Sequence, residues 1–166
     1  MSRLSIDSVK AYLKPFGKDA SVLEFPVSSA TVELAAEAAG VIPARIAKTL
    51  SFLHKDGHCI LVTAAGDAKI DNSKYKQQFG CKAKMLSPEE VVAFTGHSIG
   101  GVCPFDIQNS DTEVYLDCSL KRFPSVFPAA GSSNSAVEMT CEELFACGKA
   151  KGWVDVCKGW QEAPEG

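Results

Sequence analysis

The chain has 166 residues, of which 46% are hydrophobic and 22% are charged, a composition typical of one globular domain with its own core. It contains no run of about 18 apolar residues, so the sequence predicts no membrane-spanning segment. The net charge of −3 argues against a broad surface that follows nucleic-acid phosphates, but it permits contact with the end of a nucleic acid. Residues 1–10 are polar and lack the apolar stretch of a secretory signal, and we therefore expect a cytoplasmic protein.

Cysteine is frequent, but its pattern does not indicate a cross-linked or metal-binding protein. The number of cysteines is odd, and no two are spaced as C-x-x-C. We therefore expect free thiols, no disulfide framework, no metal and no cofactor. The seven cysteines are Cys59, Cys81, Cys103, Cys118, Cys141, Cys147 and Cys157.

The first predicted elements are a helix, a strand and a second helix. Apolar residues recur at helical spacing over residues 6–16, and residues 21–25 have the pattern of a short strand. Hydroxyl side chains within residues 28–31 can cap a second helix. Gly40 is expected to end that helix, because glycine readily adopts left-handed backbone angles.

A hairpin is predicted next. Residues 46–53 and 59–64 have strand character, and the Lys-Asp-Gly sequence of residues 55–57 is typical of a tight turn. His54 and His58 flank this turn, and we interpret both as solvated side chains.

The second half of the chain mixes helices with short strands. Ser87 with Glu90, and Thr140 with Glu143, have the spacing of capping boxes, which open helices. The predicted helices are residues 72–79 (closed by Gly80), 88–95 and 141–150. The predicted strands are Val102 and residues 114–117, 126–129 and 136–139.

The order of these elements predicts the fold class. Strands and helices do not alternate as regular β-α-β units, so we expect an α+β fold with a mixed, largely antiparallel sheet surrounded by helices. We expect a single domain over residues 1–160 and a loose tail over residues 161–166.

Lys48 is the first candidate for a functional residue. In a strand over residues 46–53, it shares one face with Ile46 and Leu50. Such a lysine most often extends along the apolar surface and keeps its ammonium in water, and periodicity alone favours this interpretation. The alternative is a cation that binds an anionic ligand such as a phosphate.

Two adjacent glycines are the second candidate. Gly100 and Gly101 precede the predicted strand at Val102, and they permit positive φ and close approach of another backbone. Exposed N–H groups there can hold a carbonyl oxygen or an oxyanion. A plain loop between a helix and a strand is the alternative.

Other features are weaker. Small residues over 129–134 suit either a loop that closes over a ligand or a surface turn. Asp117 ends a predicted strand, where an aspartate is more often a turn or cap residue than a site residue. His97 and Cys103 invite a Cys–His hydrolase mechanism, but their separation in sequence does not establish a short distance.

Taken together, the ordered segments resemble the YbaK and prolyl-tRNA-synthetase-associated editing domain family. The matching segments are residues 31–36, 47–50 and 100–105, then Asp117, Gly131, residues 137–139 and residues 143–144. They cover about residues 25–149. The resemblance implies a YbaK-like fold around a curved mixed sheet. It also implies hydrolysis of the ester that joins a wrong amino acid to the 3′ end of a tRNA.

The resemblance further implies site residues and partners. The family lysine corresponds to Lys48 and the glycine pair to Gly100 and Gly101, and these three are expected to be catalytic. Substrate contacts are expected at Thr49, Val102, Pro104, Asp117, Gly131 and Ser132. The expected substrate is tRNA(Pro) charged with Ala, Cys or Ser and bound by its acceptor end. Prolyl-tRNA synthetase is expected as a transient partner. Residues 132–134 depart from the more basic or glycine-rich turn of many relatives, which leaves the specificity open.

Two other functions remain as alternatives. A domain of the same fold can bind tRNA or a synthetase without catalysing a reaction. A hydrolase can instead use Cys103 as a nucleophile, provided that a neighbouring group lowers the pKa of its thiol.

Overall fold

The computed structural model describes residues 5–160, which form a mixed sheet packed against short helices. The helices are α1 (Ile6–Leu13), α2 (Val32–Ala39), α3 (Asn72–Phe79), α4 (Pro88–Thr95) and α5 (Cys141–Cys147). The strands are β1 (Val22–Glu24), β2 (Ile46–Leu53), β3 (Cys59–Ala65), β4 (Lys69–Ile70), β5 (Thr112–Asp117), β6 (Phe127–Pro128), β7 (Ser135–Val137), β8 (Gly152–Val154) and β9 (Cys157–Lys158). The predicted tail over residues 161–166 lies outside the described residues.

Local capping signals set the helix ends. The capping boxes at Ser87 and Thr140 are both present, and the Thr31 side chain accepts from the backbone N–H of Leu34 at the start of α2. The glycines that end α2 and α3 both have left-handed backbone angles. The helix predicted over residues 141–150 ends earlier, at Cys147, because Lys149 adopts a positive φ of 50° and breaks the helical path.

The central sheet has the strand order β6-β2-β3-β5-β8. The hairpin β2–β3 is antiparallel as predicted, whereas β2–β6, β3–β5 and β5–β8 are parallel. The mixed α+β class is therefore confirmed, but the expectation of a largely antiparallel sheet is wrong for this sheet. The physical reason is connectivity: α3 and α4 separate β3 from β5, α5 separates β5 from β8, and such helical crossovers join parallel strands.

The core is built around β3, every residue of which is buried. On one side it includes Val9 and Leu13 of α1, and Tyr75 of α3 packs against Phe52 of β2 with 4.9 Å between ring centroids. This packing holds β2 between β3 and β6 and so fixes the strand that carries Lys48. Within residues 5–160, no helix combines the length and the apolar character needed to cross a membrane.

The strands β4, β8 and β9 were not predicted. Each has two or three residues, too few to show an alternating pattern. Two small antiparallel sheets, β1–β7 and β4–β9, complete the fold beside the central sheet.

Candidate active site

A cavity of about 110 Å³ opens beside the first half of β2. It lies between the amino-terminal turn of α2, residues 99–102 and the strands β6 and β7. Its apolar lining residues are Ala30, Val32, Ala35, Ile46, Ala47, Ile99, Val102, Phe127, Ala129 and Ala136, and Gly100 also borders it. Its polar lining residues are Ser29, Thr31, Lys48, Thr49 and Ser135. The cavity is therefore small, mostly apolar and bordered by one cationic side chain.

The edge of β2 is open at this cavity. The pairing with β6 stops at Ala47, and farther along the strand the Ser51 carbonyl accepts from the Leu86 backbone N–H at 3.2 Å. Alternate residues of a strand direct their backbone groups to the same edge, so Thr49 directs its N–H and C=O there as well. Among residues 5–160, no strand pairs with that edge at positions 48–50. The edge can therefore offer backbone hydrogen bonds to a ligand.

Among residues 5–160, Lys48 is held by carbonyl groups and not by a carboxylate. Its Nζ donates to the carbonyls of Gly66, at 3.3 Å, and Ala68. Burial lowers the pKa of this lysine, while Cys157 and the carboxyl groups of Asp67 and Glu33 act in the opposite direction. The interpretation that periodicity alone favoured, an ammonium in open water, is wrong because the loop after β3 folds over the strand and its carbonyls replace water.

The glycine pair has a different conformation from the predicted one. Ile99–Gly101 form a single 3₁₀ turn, and neither glycine has positive φ. Val102 follows in extended conformation outside any strand, so its prediction as a strand residue is wrong. The Gly101 N–H donates to the Ser98 carbonyl at 2.9 Å, so the turn itself uses this amide.

Gly101 is nevertheless required by close packing. A Cβ placed there would lie 2.8 Å from the backbone nitrogen of Ser132, a distance that real side chains do not adopt. At Gly100 the nearest atom would be the Ser133 Cβ, at 3.2 Å. The prediction that the glycine pair permits close approach of another backbone is therefore correct. The 3₁₀ turn contacts the segment over residues 131–133, which lies next to the cavity wall.

Gly131 and Ser132 lie behind the cavity wall. Gly131 has a φ of 92°, and a Cβ there would lie 2.6 Å from the Ser5 carbonyl oxygen. The Ser132 hydroxyl lies 2.7 Å from the Oγ of Ser135, which lines the cavity and is almost fully buried. Ser132 therefore contacts the lining through Ser135 and is not itself part of it.

Two other predicted substrate contacts lie outside the lining. Pro104 borders a second cavity together with Tyr12, on the side of the sheet where Gly148 packs against the proline ring. Asp117 is completely buried, and its carboxylate accepts from the backbone N–H groups of Ser119, at 3.0 Å, and Val156, at 2.9 Å. Asp117 therefore stabilises the turn after β5.

The fold brings His97 and Cys103 together, which their spacing did not indicate. The Cys103 Sγ lies 3.5 Å from His97 Nε2, and both side chains are completely buried and outside the lining of the cavity. Burial raises the pKa of the Cys103 thiol to about 12 and lowers the pKa of His97. A neutral thiol without access to a substrate does not serve as a nucleophile.

Ser29 is a cavity residue that sequence reasoning identified only as a candidate helix cap. Thr31 takes the capping role, which leaves the Ser29 side chain facing the cavity. Its buried Oγ has no hydrogen-bond partner among residues 5–160. No signal in the sequence distinguishes Ser29 from its neighbour Ser28, because the fold alone determines which hydroxyl lines the cavity.

Comparison with known proteins agrees with this fold. Residues 27–147 match the family model of the aminoacyl-tRNA editing domain. The chain is 56% identical over 158 residues to the uncharacterized protein YwhH of Bacillus subtilis (strain 168), covering 95% of this chain and all of YwhH. The chain therefore belongs to the aminoacyl-tRNA editing domain family, as the resemblance predicted.

Solved structures share the same architecture. One is described as "a putative trans-editing enzyme for prolyl tRNA synthetase": it has a TM-score of 0.82 and 31% identity, and the match covers 93% of this chain and 97% of that one. Another, the hypothetical protein APE2540, has a TM-score of 0.79 and 27% identity, over 90% of this chain and 99% of its own. The likeness covers nearly the full length of each protein, so it reflects the whole domain.

Proposed function

We propose that the protein is a trans-editing aminoacyl-tRNA deacylase that acts in the cytoplasm. It hydrolyses the ester between a wrong amino acid and the 3′-terminal ribose, releasing the free amino acid and the uncharged tRNA. The observation that carries this proposal is the small cavity in which an open strand edge, a helix amino terminus and a desolvated lysine meet.

The cavity offers what ester hydrolysis requires. When water attacks the ester carbonyl, the oxygen becomes negative and needs hydrogen-bond donors or positive charge. The amino-terminal turn of α2, at Thr31 and Val32, borders the cavity and carries partial positive charge. The Thr49 backbone N–H and the backbone at Gly100 are further candidates for positioning the carbonyl.

Lys48 is proposed to bind the substrate and to stabilise developing negative charge. Its ammonium is oriented by two carbonyls and has no directly bound carboxylate among residues 5–160, so its charge remains available to an anionic or partly negative oxygen. Gly101 is proposed to act indirectly, by allowing the backbone contact with Ser132 that shapes the wall. No covalent intermediate is needed, because an aminoacyl ester is already reactive toward water.

The size of the cavity supports a preference for small amino acids. A volume of about 110 Å³ with a mostly apolar lining suits the side chain of Ala, Ser or Cys. We propose these residues, attached to tRNA(Pro), as substrates and the tRNA acceptor end as the bound partner. Transient contact with prolyl-tRNA synthetase is proposed as well. Exclusion by size would protect the correct aminoacyl-tRNA, as in other editing sites.

A deacylation panel tests the proposal. Purified protein is mixed with tRNA(Pro) carrying Ala, Ser, Cys or Pro and with mischarged tRNAs of other specificities, and release of the amino acid is measured. We expect turnover of at least one small aminoacyl-tRNA(Pro) and no acceleration for Pro-tRNA(Pro). Binding of these tRNAs without hydrolysis would favour a non-catalytic binding module, and equally fast hydrolysis of Pro-tRNA(Pro) would contradict selection by size.

A further inference from the structure

The hairpin turn at the far end of β2 contains a second group of chemically versatile side chains. His54, Asp56 and His58 lie within five consecutive residues, and one ligand atom from each lies within 4.8 Å of the others. The turn is six residues along β2 from Lys48, about 20 Å away. It is therefore separate from the proposed active site.

The two histidine rings are ordered, contrary to the expectation of solvated side chains. They stack with 4.6 Å between ring centroids, and the side chains of His54 and His58 are only 13% and 23% exposed. The Asp56 side chain is 59% exposed. The two histidine rings are therefore packed against the protein, whereas the Asp56 carboxylate is open to solvent.

The outer nitrogens of both rings have fixed partners. Nε2 of His54 lies 2.8 Å from the Phe79 carbonyl oxygen, and Nε2 of His58 lies 3.3 Å from Oε1 of Glu113. A carbonyl only accepts hydrogen bonds, so Nε2 of His54 carries the proton of that ring. With a metal ion on Nδ1 of His58, the Nε2–H of that ring would face the Glu113 carboxylate. In the neutral ring of His54, Nδ1 therefore carries a lone pair, which accepts from the Asp56 backbone N–H.

Both Nδ1 atoms face the same carboxylate oxygen. Nδ1 of His54 lies 3.1 Å from Oδ1 of Asp56, and Nδ1 of His58 contacts that same oxygen more closely. The Asp56 backbone N–H also approaches Nδ1 of His54, at 3.3 Å. The His58 backbone N–H also donates to this oxygen, at 3.1 Å. Once the proton on His58 Nδ1 is lost, three electron-rich atoms converge here, and a metal ion can take the place of that proton.

We propose that this turn binds a divalent first-row transition metal ion, with Nδ1 of His54, Nδ1 of His58 and a carboxylate oxygen of Asp56 as ligands. Imidazole nitrogens with one carboxylate suit zinc, nickel or copper better than calcium or magnesium. Metal-bound histidines usually donate their second N–H to a carbonyl or carboxylate, which is the arrangement of Phe79 and Glu113 here.

One spacing between the ligand atoms already fits such an ion. Ligands at about 2.0–2.1 Å from a tetrahedral metal lie about 3.3 Å apart. The His54–Asp56 separation of 3.1 Å is close to this value, whereas the His58–Asp56 contact is too short and has to lengthen before both atoms can bind one ion. A proton on His58 Nδ1 can take the place of the metal, so protons and metal compete for the same position.

A second group of possible ligands does not have these features. Asp117, Cys118 and Asp155 also approach one another, but both oxygens of Asp117 accept backbone N–H groups. The Lys74 ammonium already lies 3.1 Å from Asp155, and burial raises the pKa of the Cys118 thiol to about 11. A cation there would compete with existing partners, which favours the hairpin turn as the metal site.

The test measures binding of Zn²⁺ and Ni²⁺ to the full-length protein by calorimetry, after accessible thiols have been alkylated so that cysteines do not bind the ions. We expect one ion per chain. Asp56→Asn, which keeps the shape of the side chain, and His54→Ala are expected to weaken binding at least about tenfold. Glu89→Gln, which removes an exposed carboxylate on α4, is the matched control and should bind like the wild type. Equal binding by the wild type and the double variant His54→Ala/His58→Ala would overturn the proposal.

Magnetic resonance of the wild-type protein gives a test that does not depend on variants folding. The chain has three histidines, and the buried His97 serves as an internal reference. Zinc should shift the ring signals of His54 and His58 and leave those of His97 unchanged. The absence of a shift for both hairpin histidines at saturating zinc would exclude the site.

Discussion

The segment over residues 97–105 contributes to two very different environments. His97 and Cys103 form a contact between reactive side chains, but both are sealed in the core and the thiol is neutral. Gly100 has no side chain at all, yet it borders the cavity opposite Lys48. A reactive residue type is therefore not enough for a role in a reaction, because the group also needs access to a cavity.

The largest effect is expected from Lys48→Ala. Loss of a charge-assisted contact costs about 1.5–3 kcal/mol. If the contact forms in the transition state, the deacylation rate falls roughly tenfold to more than a hundredfold. Lys55→Ala, in the exposed hairpin turn after the same strand, is the control and should retain full activity. A folded Lys48→Ala protein with wild-type rates would remove Lys48 from the mechanism.

The glycine pair provides a matched comparison. Gly101→Ala forces the Ser132 backbone to move, whereas Gly100→Ala meets only the Ser133 Cβ. Overpacking of this kind costs about 1–3 kcal/mol, so we expect Gly101→Ala to lower both the activity and the melting temperature more than Gly100→Ala does. The measurement pairs deacylation rates with thermal unfolding of both variants. Two variants with equal effects would mean that the contact with Ser132 does not shape the cavity.

A smaller effect on activity is expected from Cys103→Ala. The thiol is a core group, so its removal leaves a small cavity and lowers stability without removing a catalytic group. Deacylation should stay within about twofold of wild type, measured at a temperature where both proteins are folded. Intact mass of the wild type under turnover should show no aminoacyl adduct. A trapped adduct on Cys103, together with complete loss of turnover in the variant, would support the thiol mechanism instead.

The smallest expected effect is a shift in the pH dependence of the deacylation activity. Burial lowers the pKa of Lys48, so activity that needs its ammonium declines as the pH rises through this lowered value. The contribution to stability has the opposite sign: between the folded and the unfolded pKa the unfolded chain binds more protons, so stability rises with pH. The Glu33 carboxylate opposes the lowering, and Glu33→Gln should therefore move the alkaline decline to lower pH. The pH profile, corrected for uncatalysed hydrolysis, checks this shift against Glu37→Gln, an exposed glutamate one turn farther along α2.

Local signals were enough to predict many elements from sequence. The helices Asn72–Phe79 and Pro88–Thr95 have the predicted bounds, since caps and glycines mark both ends within a few residues. The parallel pairs β2–β6, β3–β5 and β5–β8 join strands that are far apart in the sequence. No local sequence pattern predicts which of these strands pair. Very short strands such as β9 carry too few residues to show periodicity.

The candidate site was less predictable for the same reason. Lys48 was identified through the family resemblance, while its periodicity alone favoured an ammonium in water. The position of Ser29 in the cavity lining depends on the tertiary fold and not on a local sequence pattern. The same is true of the contact between His97 and Cys103. Residue types and spacing indicate which side chains are available, but only the tertiary fold determines which of them share a cavity.

The open edge of β2 also has a consequence for self-association. Unpaired strand edges can template the addition of a strand from another molecule, which leads to aggregation. Here the gap lies between the pairing with β6 at Ala47 and the hydrogen bond that Ser51 accepts from Leu86, so only positions 48–50 are open. Three residues span about 10 Å, a length that admits an amino acid but is too short for stable β-pairing between chains. The short gap therefore makes this edge of β2 a poor template for a strand from another molecule.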